Sequence, residues 1–432
     1  MVKKIICSLL LFFFIVPVFV YASVNPSVRI GNKYYDNLED AILNASSTDT
    51  ITLISDVILS DTLSINKTVN INLNGNDISS STKVFEVKGG VLNIEGKGTI
   101  KELEPNYGVI MVRGSSNSSD KDYSVVNVGS DVTLEGWSGI FVNHESSKAY
   151  GVVVNVSGSI NAVDDINGGT GIGIYVNGNI KHQTNYPVIN ILDGAKITST
   201  GNGLYIAGYS TFNVGKAYIS GLESGIGIKS GNLNIDGATV ICEGVDKTPS
   251  EGSNNGITPS GVAIQIESNT GYAGDMNINI KSGSFTSKNS NVIYEYIAKG
   301  NTSLVDSMKI SGGTFISKAS KNVFRFSDDF KNKHSSFISG GYFSTDPSSY
   351  LKSGYVSVPE DDIYKVTNVM NQGNYSNDNT YNELTSSNDN DNDSLNINKL
   401  LKVIVLIILE IAFIFVVYFN RRKIFSLFSK WF

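Results

Sequence analysis

A glycine followed by an alternating apolar segment recurs along the middle of this chain of 432 residues. Five segments share the pattern, and their first apolar residues are Ile140, Ile172, Leu204, Ile226 and Val262. These positions are 32, 32, 22 and 36 residues apart, and a period in this range is typical of stacked repeats rather than of one ordinary sheet. The spacing therefore predicts a solenoid, in which the chain coils along one axis.

A second type of segment alternates with the first and places asparagine between two aliphatic residues. Examples are Val126-Asn127-Val128, Val154-Asn155-Val156 and Ile189-Asn190-Ile191. Alternation with period 2 turns the aliphatic residues to one face of a strand and the asparagines to the other. Stacking coil on coil buries the apolar faces and pairs each internal strand with its neighbours above and below. We therefore expect an all-β fold, a right-handed parallel β-helix of roughly ten coils about 4.8 Å apart.

Apolar segments near both ends of the chain are predicted to target the protein to a membrane or to anchor it there. Residues 1–22 contain two lysines, an apolar run and a small-residue pattern ending at Ala22, which is typical of a secretory signal peptide. An uncleaved leader stays open as an alternative. Residues 399–420 are predicted to form a transmembrane helix, because they contain the run Val403–Phe419, which is apolar except for Glu410. Its insertion gain of roughly 5 to 10 kcal/mol exceeds the cost of about 2.5 to 3.5 kcal/mol for one acid.

The charges around these segments predict the topology and exclude one class of partner. The basic cluster Arg421-Arg422-Lys423 predicts a cytoplasmic tail over residues 421–432, with the part between the apolar segments outside the cell. The lipid bilayer is thus an expected partner through the C-terminal helix. Outside residues 1–22 and 399–432 the chain has 26 basic and 39 acidic residues, a net charge of −13. Nucleic acid is not an expected partner, because binding phosphates requires a basic surface.

The remaining sequence divides into a cap, the solenoid and a tether. A helix start followed by apolar residues at helical spacing in residues 36–42 predicts one short helix that caps the first edge of the solenoid. We assign residues 23–60 to this cap and the first strands, and residues 61–368 to the parallel β-helix. Residues 369–398 are rich in Asn, Asp and Ser, so apolar burial cannot offset their ordering entropy, and they are expected to form a disordered tether.

The sequence shows no catalytic set, metal site or cofactor motif. The histidines His144, His182 and His334 stand beside no nucleophile or metal-spaced partner. The acid pairs at 164–165 and 361–362 are adjacent, and adjacent side chains in a strand point to opposite faces, whereas glycoside cleavage needs two carboxylates across a cleft. In the tether, residues 389–393 resemble the start of a calcium loop, but the required glycine and glutamate are missing downstream.

One cysteine remains after removal of the leader. Cys242 follows two β-branched residues, so it is expected to be a small buried core residue, and an intramolecular disulfide is excluded.

Several segments resemble bacterial pectin-lyase-like β-helix surface proteins of low-GC Gram-positive organisms. They are the stretch 34–42, the unit Ser311-Gly312-Gly313-Thr314-Phe315 and the closing stretch 339–355. The resemblance covers roughly residues 28–360 and implies the solenoid fold. It implies no single activity, because the group includes both enzymes and adhesin-like rods. Its polygalacturonases carry a Gly-His-Gly strand and an Arg-x-Lys strand, and the segment Gly225–Lys229 has neither the histidine nor the arginine.

The outward positions of the first segment type are the candidate binding surface. They are expected to align in a ladder composed of Phe141, Tyr175, Tyr205, Lys229 and Gln265. Aromatic side chains on a β surface can stack on sugar rings, but they also stabilise neighbouring coils, and both interpretations stay open.

The expected function is that of a membrane-anchored cell-surface rod for adhesion or surface interaction. The expected ligand is a glycan or another component of a host or neighbouring cell. The alternatives are a polysaccharide-processing enzyme, either a lyase or a glycoside hydrolase, on the same fold, and a structural envelope spacer.

Overall fold

The computed structural model describes residues 26–115, 123–142, 150–178, 185–247 and 260–370. In these ranges the chain is mostly β-strand, with two short helices and one short 3-10 turn. None of the helices described is long and apolar enough to span a bilayer. The predicted leader, transmembrane helix and cytoplasmic tail, the tether from residue 371 onward, and His144 and His182 all lie outside the described residues.

The strands form three columns, and in each column every strand pairs in parallel with the strand of the next coil. The first column contains Thr50–Leu53, Thr68–Asn72, Val91–Glu95, Ser124–Val128, Val152–Val156, Val188–Ile191, Thr211–Val214, the first halves of Ser230–Cys242 and Gly274–Ser287, and Val305–Ile310. The second column contains Val57–Leu59, Ile78–Ser80, Gly98–Glu102, Val132–Gly136, Ser159–Ala162, Lys196–Ser199, Tyr218–Gly221, the second halves of the same two long strands, Thr314–Ser317 and Gly341–Phe343.

The third column is a separate ten-stranded sheet. It contains Leu63–Ile65, Phe85–Lys88, Ile110–Arg113, Ser138–Val142, Ile172–Val176, Asn202–Ile206, Ser224–Ile228, Val262–Ser268, Ile293–Ile297 and Phe324–Arg325. The chain passes through the first, second and third columns in turn before it begins the next coil. The sequence-based expectation of stacked parallel coils is therefore confirmed, and ten strands in one column agree with about ten coils.

Antiparallel strands close both ends of the described solenoid. At the N-terminal end, Val28–Ile30 pairs antiparallel with Lys33–Tyr35 and with Thr50–Leu53. At the other end, Ile363–Asn368 pairs antiparallel with Tyr355–Glu360 and with Gly341–Phe343. These pairings occupy edges of the second and first columns that would otherwise offer unpaired backbone groups to another chain.

The predicted N-terminal helix is confirmed as α1, Leu38–Asn44. Its N-cap is Asn37, whose side chain accepts a hydrogen bond from the backbone N–H of Asp40 at 2.7 Å. The helix buries Leu38 together with Ala41 and Ile42, the positions that its apolar spacing turns to one side. Near the other end, α2 spans Asp328–Lys333 and is capped by Ser327, and the 3-10 turn spans Ser348–Tyr350.

The alternating pattern correctly identifies which residues face the core. Ile140, Leu204 and Ile226 are fully buried and pair through the third column in the order Ile140, Ile174, Leu204, Ile226, Ile264. The expected alignment of Ile172 and Val262 with these residues is wrong by two positions, because they pair with Asn202 and Ser224. Gly171 and Gly173 both precede an isoleucine, and only Gly173 is level with Gly139 and Gly203 of the adjacent coils.

The repeated glycine lies where the third column approaches the second. A Cβ atom on Gly203 would lie 2.5 Å from Cγ2 of Ile219 and 2.6 Å from the carbonyl oxygen of Gly225. Gly139 and Gly173 face Ile160 and Ile197 at similarly short distances. At Gly139, Gly173 and Gly203 the motif is therefore explained by sterics, since a side chain at these three positions would collide with an isoleucine of the second column.

We expect Gly203→Ala to lower the free energy of unfolding by about 1–3 kcal/mol, because the methyl group must displace backbone and a packed isoleucine. Ser220→Ala is the control, since it adds no atom to the neighbouring strand, and it should stay within about 0.5 kcal/mol. Urea denaturation followed by circular dichroism measures both. Equal stability of the two variants would contradict the steric explanation.

The asparagines of the second segment type form a ladder on the outside of the first column. Each Nδ2 donates to the Oδ1 of the preceding coil at 2.6 to 3.0 Å, through Asn70, Asn93, Asn127, Asn155, Asn190, Asn213 and Asn234. At the start, Asn70 donates to the backbone carbonyls of Ser47 and Asp49. The ladder gives the solvent side of the coils a continuous set of hydrogen bonds, which explains the recurrence of asparagine.

Candidate functional site

The predicted ladder on the third column is present in its aromatic part. Phe141 pairs with Tyr175, and Tyr175 pairs with Tyr205, in adjacent strands. The rings of Phe141 and Tyr175 stack with centroids 4.6 Å apart and an angle of 7° between their planes. Tyr175 meets Tyr205 edge to face at 4.9 Å. Because the stacked faces of Phe141 and Tyr175 are turned to each other, part of this ladder serves packing between coils.

Gln265 lies in the register of the ladder but is buried, and Lys229 lies outside that register, so the expectation of exposed side chains at both positions is corrected. The residue paired with Tyr205 is Gly227, which in turn pairs with Gln265, and Lys229 lies two residues beyond Gly227. Lys229 and Gln265 are both 0% exposed. Alternation predicts on which side of a strand a residue lies, but it does not predict whether another segment covers that side. Tyr272, in the turn after strand Val262–Ser268, covers Lys229.

A buried ion pair occupies the centre of this face. The Nζ atom of Lys229 lies 2.5 Å from Oε2 of Glu267, and neither side chain is accessible to solvent. Apart from this ion pair, no hydrogen bond to this oxygen is formed among the described residues. The amine also lies over the rings of Tyr205 and Tyr272, at 4.9 and 4.7 Å from their centroids. Cation–π contacts of this kind are strongest when they are desolvated.

Burial dominates the ionisation of the tyrosines around the pair. It raises the pKa of Tyr272 to about 12, and the neighbouring Tyr205 adds to the shift. Burial also raises the pKa of Tyr175 to about 12 and lifts the pKa of Tyr205 well above its ordinary value. All three hydroxyls are therefore protonated at neutral pH, when they can donate hydrogen bonds.

Gly227 leaves the ladder without a side chain between Tyr205 and Gln265. A Cβ atom here would lie 3.2 Å from Oε1 of Gln265 and 3.3 Å from Nδ2 of Asn202. Within the part of the chain that the structure describes, neither polar atom of the Gln265 amide has a hydrogen-bond partner. A buried amide without partners carries a free-energy cost, which an ordered water can remove.

Sequence reasoning missed several residues of this face. Trp137 contacts Phe141 and Tyr175 edge to face at 6.1 and 6.2 Å, and Glu267 and Tyr272 surround Lys229. Glu267 could have been found, because it lies on the same side of its strand as Gln265. Tyr272 follows the end of that strand, and no periodic pattern indicated its position.

The other residues considered for chemistry have structural roles. His334 follows α2, and its Nε2 lies 2.8 Å from the carbonyl oxygen of Val305. Asp165 accepts hydrogen bonds from two backbone N–H groups of its own turn. Cys242 is buried as expected, and burial raises the pKa of its thiol to about 11. The described ranges contain no group of three or more metal-ligating side chains.

A groove of about 410 Å³ lies on the first column beside the asparagine ladder, bordered by Asp193, Asp236 and Lys281. The amides of Asn190, Asn213 and Asn234 that line it already bond one another along the ladder. The third column, whose aromatic side chains are only partly buried, is therefore the stronger candidate for recognition.

Comparison with known proteins identifies no relative: no family model, curated protein or solved structure matches the chain.

Proposed function

We propose that this protein is a membrane-anchored cell-surface rod that mediates adhesion or surface interaction. The rod is a right-handed parallel β-helix of the pectin-lyase-like, adhesin-like type. The leader and the C-terminal apolar segment of the sequence support anchoring with the large N-terminal part outside the cell. The acidic composition of this part supports a partner other than nucleic acid.

The observation that carries the proposal is the outward face of the third column. Trp137, Phe141, Tyr175 and Tyr205 follow one another there and are half-buried, so each presents part of its ring to solvent. Glycans offer apolar C–H faces as well as hydroxyl groups, and Trp and Tyr match both features. We propose that these four residues form the contact surface for a surface glycan.

A screen of glycans and polysaccharides with residues 23–370 tests the proposal, scored for both binding and cleavage. We expect binding without cleavage, and Trp137→Ala should weaken it at least about 10-fold, since truncating an aromatic contact at the centre of an interface typically costs 2 kcal/mol or more. Tyr218→Ala is the matched control, because this tyrosine lies on the outside of the second column, and it should bind as the unmodified chain does.

The screen also distinguishes the alternatives. Cleavage of a polysaccharide would favour a lyase or glycoside hydrolase, and neither binding nor cleavage would favour an envelope spacer. Equal losses for Trp137→Ala and Tyr218→Ala would contradict the third column as the recognition surface.

A further inference from the structure

One carboxylate oxygen of Glu267 contacts the amine of Lys229, and the other contacts the carboxamide of Asn269. Its Oε2 lies 2.5 Å from Nζ of Lys229, and its Oε1 accepts a hydrogen bond of 2.9 Å from Nδ2 of Asn269. Lys229 and Glu267 are fully buried, and Asn269 is 3% exposed. The amine and the carboxamide thus share one carboxylate in a site closed to solvent.

The carboxamide of Asn269 is also polarised from its other end. Its Oδ1 accepts a hydrogen bond of 2.9 Å from the backbone N–H of Gly271. A backbone N–H at this position can stabilise negative charge that develops on the oxygen when a nucleophile attacks Cγ. Glu267 therefore contacts both the nucleophile of Lys229 and the polarised carboxamide of Asn269, and its carboxylate can carry the protons that acyl transfer to an amine requires.

We propose that Lys229 and Asn269 are joined by an intramolecular amide bond and that Glu267 carries the protons for its formation. Lys229 first transfers a proton to Glu267, which converts the ion pair into a neutral amine and a neutral acid. The Nζ atom then attacks Cγ of Asn269, and negative charge develops on Oδ1 beside the Gly271 N–H. Glu267 delivers a proton to Nδ2 while it takes one from Nζ, the Cγ–Nδ2 bond breaks, and one ammonia leaves.

The surroundings favour this reaction. Separated charges are costly in a buried site, so burial favours the neutral products. The rings of Tyr205 and Tyr272 pack against the amine of Lys229, and this packing excludes water that would compete with the amine as a nucleophile. The bond would close a loop of about 40 residues between adjacent coils, and such a cross-link stabilises a fold mainly by restricting the unfolded chain.

Gln265 provides an internal comparison. It is a second buried carboxamide on the same strand, but it makes no hydrogen bond to Glu267 or to any other described residue. Because the proton carrier contacts Asn269 and not Gln265, Asn269 is the acyl donor that the geometry selects.

Tryptic digestion of the purified full-length chain followed by mass spectrometry tests the proposal. An amide at Lys229 blocks trypsin there, so we expect the peptide Ala217–Lys247 joined to Thr248–Lys281, with a mass one ammonia below their sum. Lys229→Arg should give only separate peptides, because arginine does not form this bond. Glu267→Gln should slow bond formation by roughly 100-fold or more, the scale of general acid–base catalysis. Gln265→Leu should still give the joined peptide, with its mass changed only by the substitution itself.

Circular dichroism of each variant separates loss of the bond from loss of the fold. Separate peptides, with cleavage after Lys229, from the folded unmodified chain would overturn the proposal. A joined peptide whose fragments place the bond at Gln265 would overturn the assignment to Asn269. A bond formed equally fast in folded Glu267→Gln would overturn the role of Glu267. None of these mass-spectrometric measurements involves a ligand, so their outcome does not depend on the result of the glycan screen.

Discussion

Ile226→Lys should unfold the central coils or lower their free energy of unfolding by several kcal/mol. Ile226 is 0% exposed and packs in register between Leu204 and Ile264 of the adjacent coils. A lysine here places a charge without a partner in an apolar core and disturbs both neighbouring coils, and changes of this type belong to the most destabilising class. Urea denaturation followed by circular dichroism measures the loss.

The matched control is Ile58→Lys, which makes the same chemical change on a strand of the second column. Ile58 is 77% exposed, so a lysine there stays in water and the free energy of unfolding should change by less than about 0.5 kcal/mol. A similar loss of stability in both variants would show that the inward and outward positions are assigned incorrectly.

Compared with the chain in which the Lys229–Glu267 ion pair is intact and the proposed amide bond has not formed, Lys229→Met should lower the free energy of unfolding by about 3–5 kcal/mol. The substitution keeps most of the side-chain volume but leaves the carboxylate of Glu267 buried without its cation, and breaking a buried pair in this way is strongly destabilising. The methyl thioether also gives up the two cation–π contacts with Tyr205 and Tyr272. Thermal and urea denaturation at neutral pH measure the effect.

The double variant Lys229→Met/Glu267→Gln isolates the cost of the unpaired charge. Glutamine removes the charge but keeps an oxygen that can accept the hydrogen bond from Asn269. We expect the double variant to be more stable than Lys229→Met by more than about 1 kcal/mol. Both chains lack the Lys229 amine and cannot form the proposed amide bond, so the comparison concerns charge alone. A double variant no more stable than the single one would contradict the account.

The contacts of Tyr205 change what its substitution is expected to do. Alternation alone places Tyr205 in water, where Tyr205→Lys would be mild. In the structure its ring contacts Tyr175 and lies beneath the amine of Lys229. A lysine at this position would bring a second cation close to the buried amine of Lys229. The variant is therefore a poor probe of a ligand surface, and Trp137 is the better one.

The sequence by itself determined which residues of each strand face the core. The aliphatic residues at every second position are buried, as at Leu204 and Ile226, because a strand turns alternate side chains to opposite faces regardless of its surroundings. The same local rule gave the helix at Leu38–Asn44, since its cap and apolar spacing lie within a few residues. The recurrence of glycine and asparagine likewise indicated that the coils stack.

Only the tertiary structure decided the register and what covers the outer face. Whether Gly227 or Lys229 follows Tyr205 depends on pairing between coils, and a shift of two residues preserves the alternation that the sequence shows. The burial of Lys229 and its contacts with Glu267 and Tyr272 arise between residues about 40 positions apart. Local sequence patterns contain no information about such contacts. The partner of an outward side chain depends on the register between coils and on the path of the turns that connect the strands.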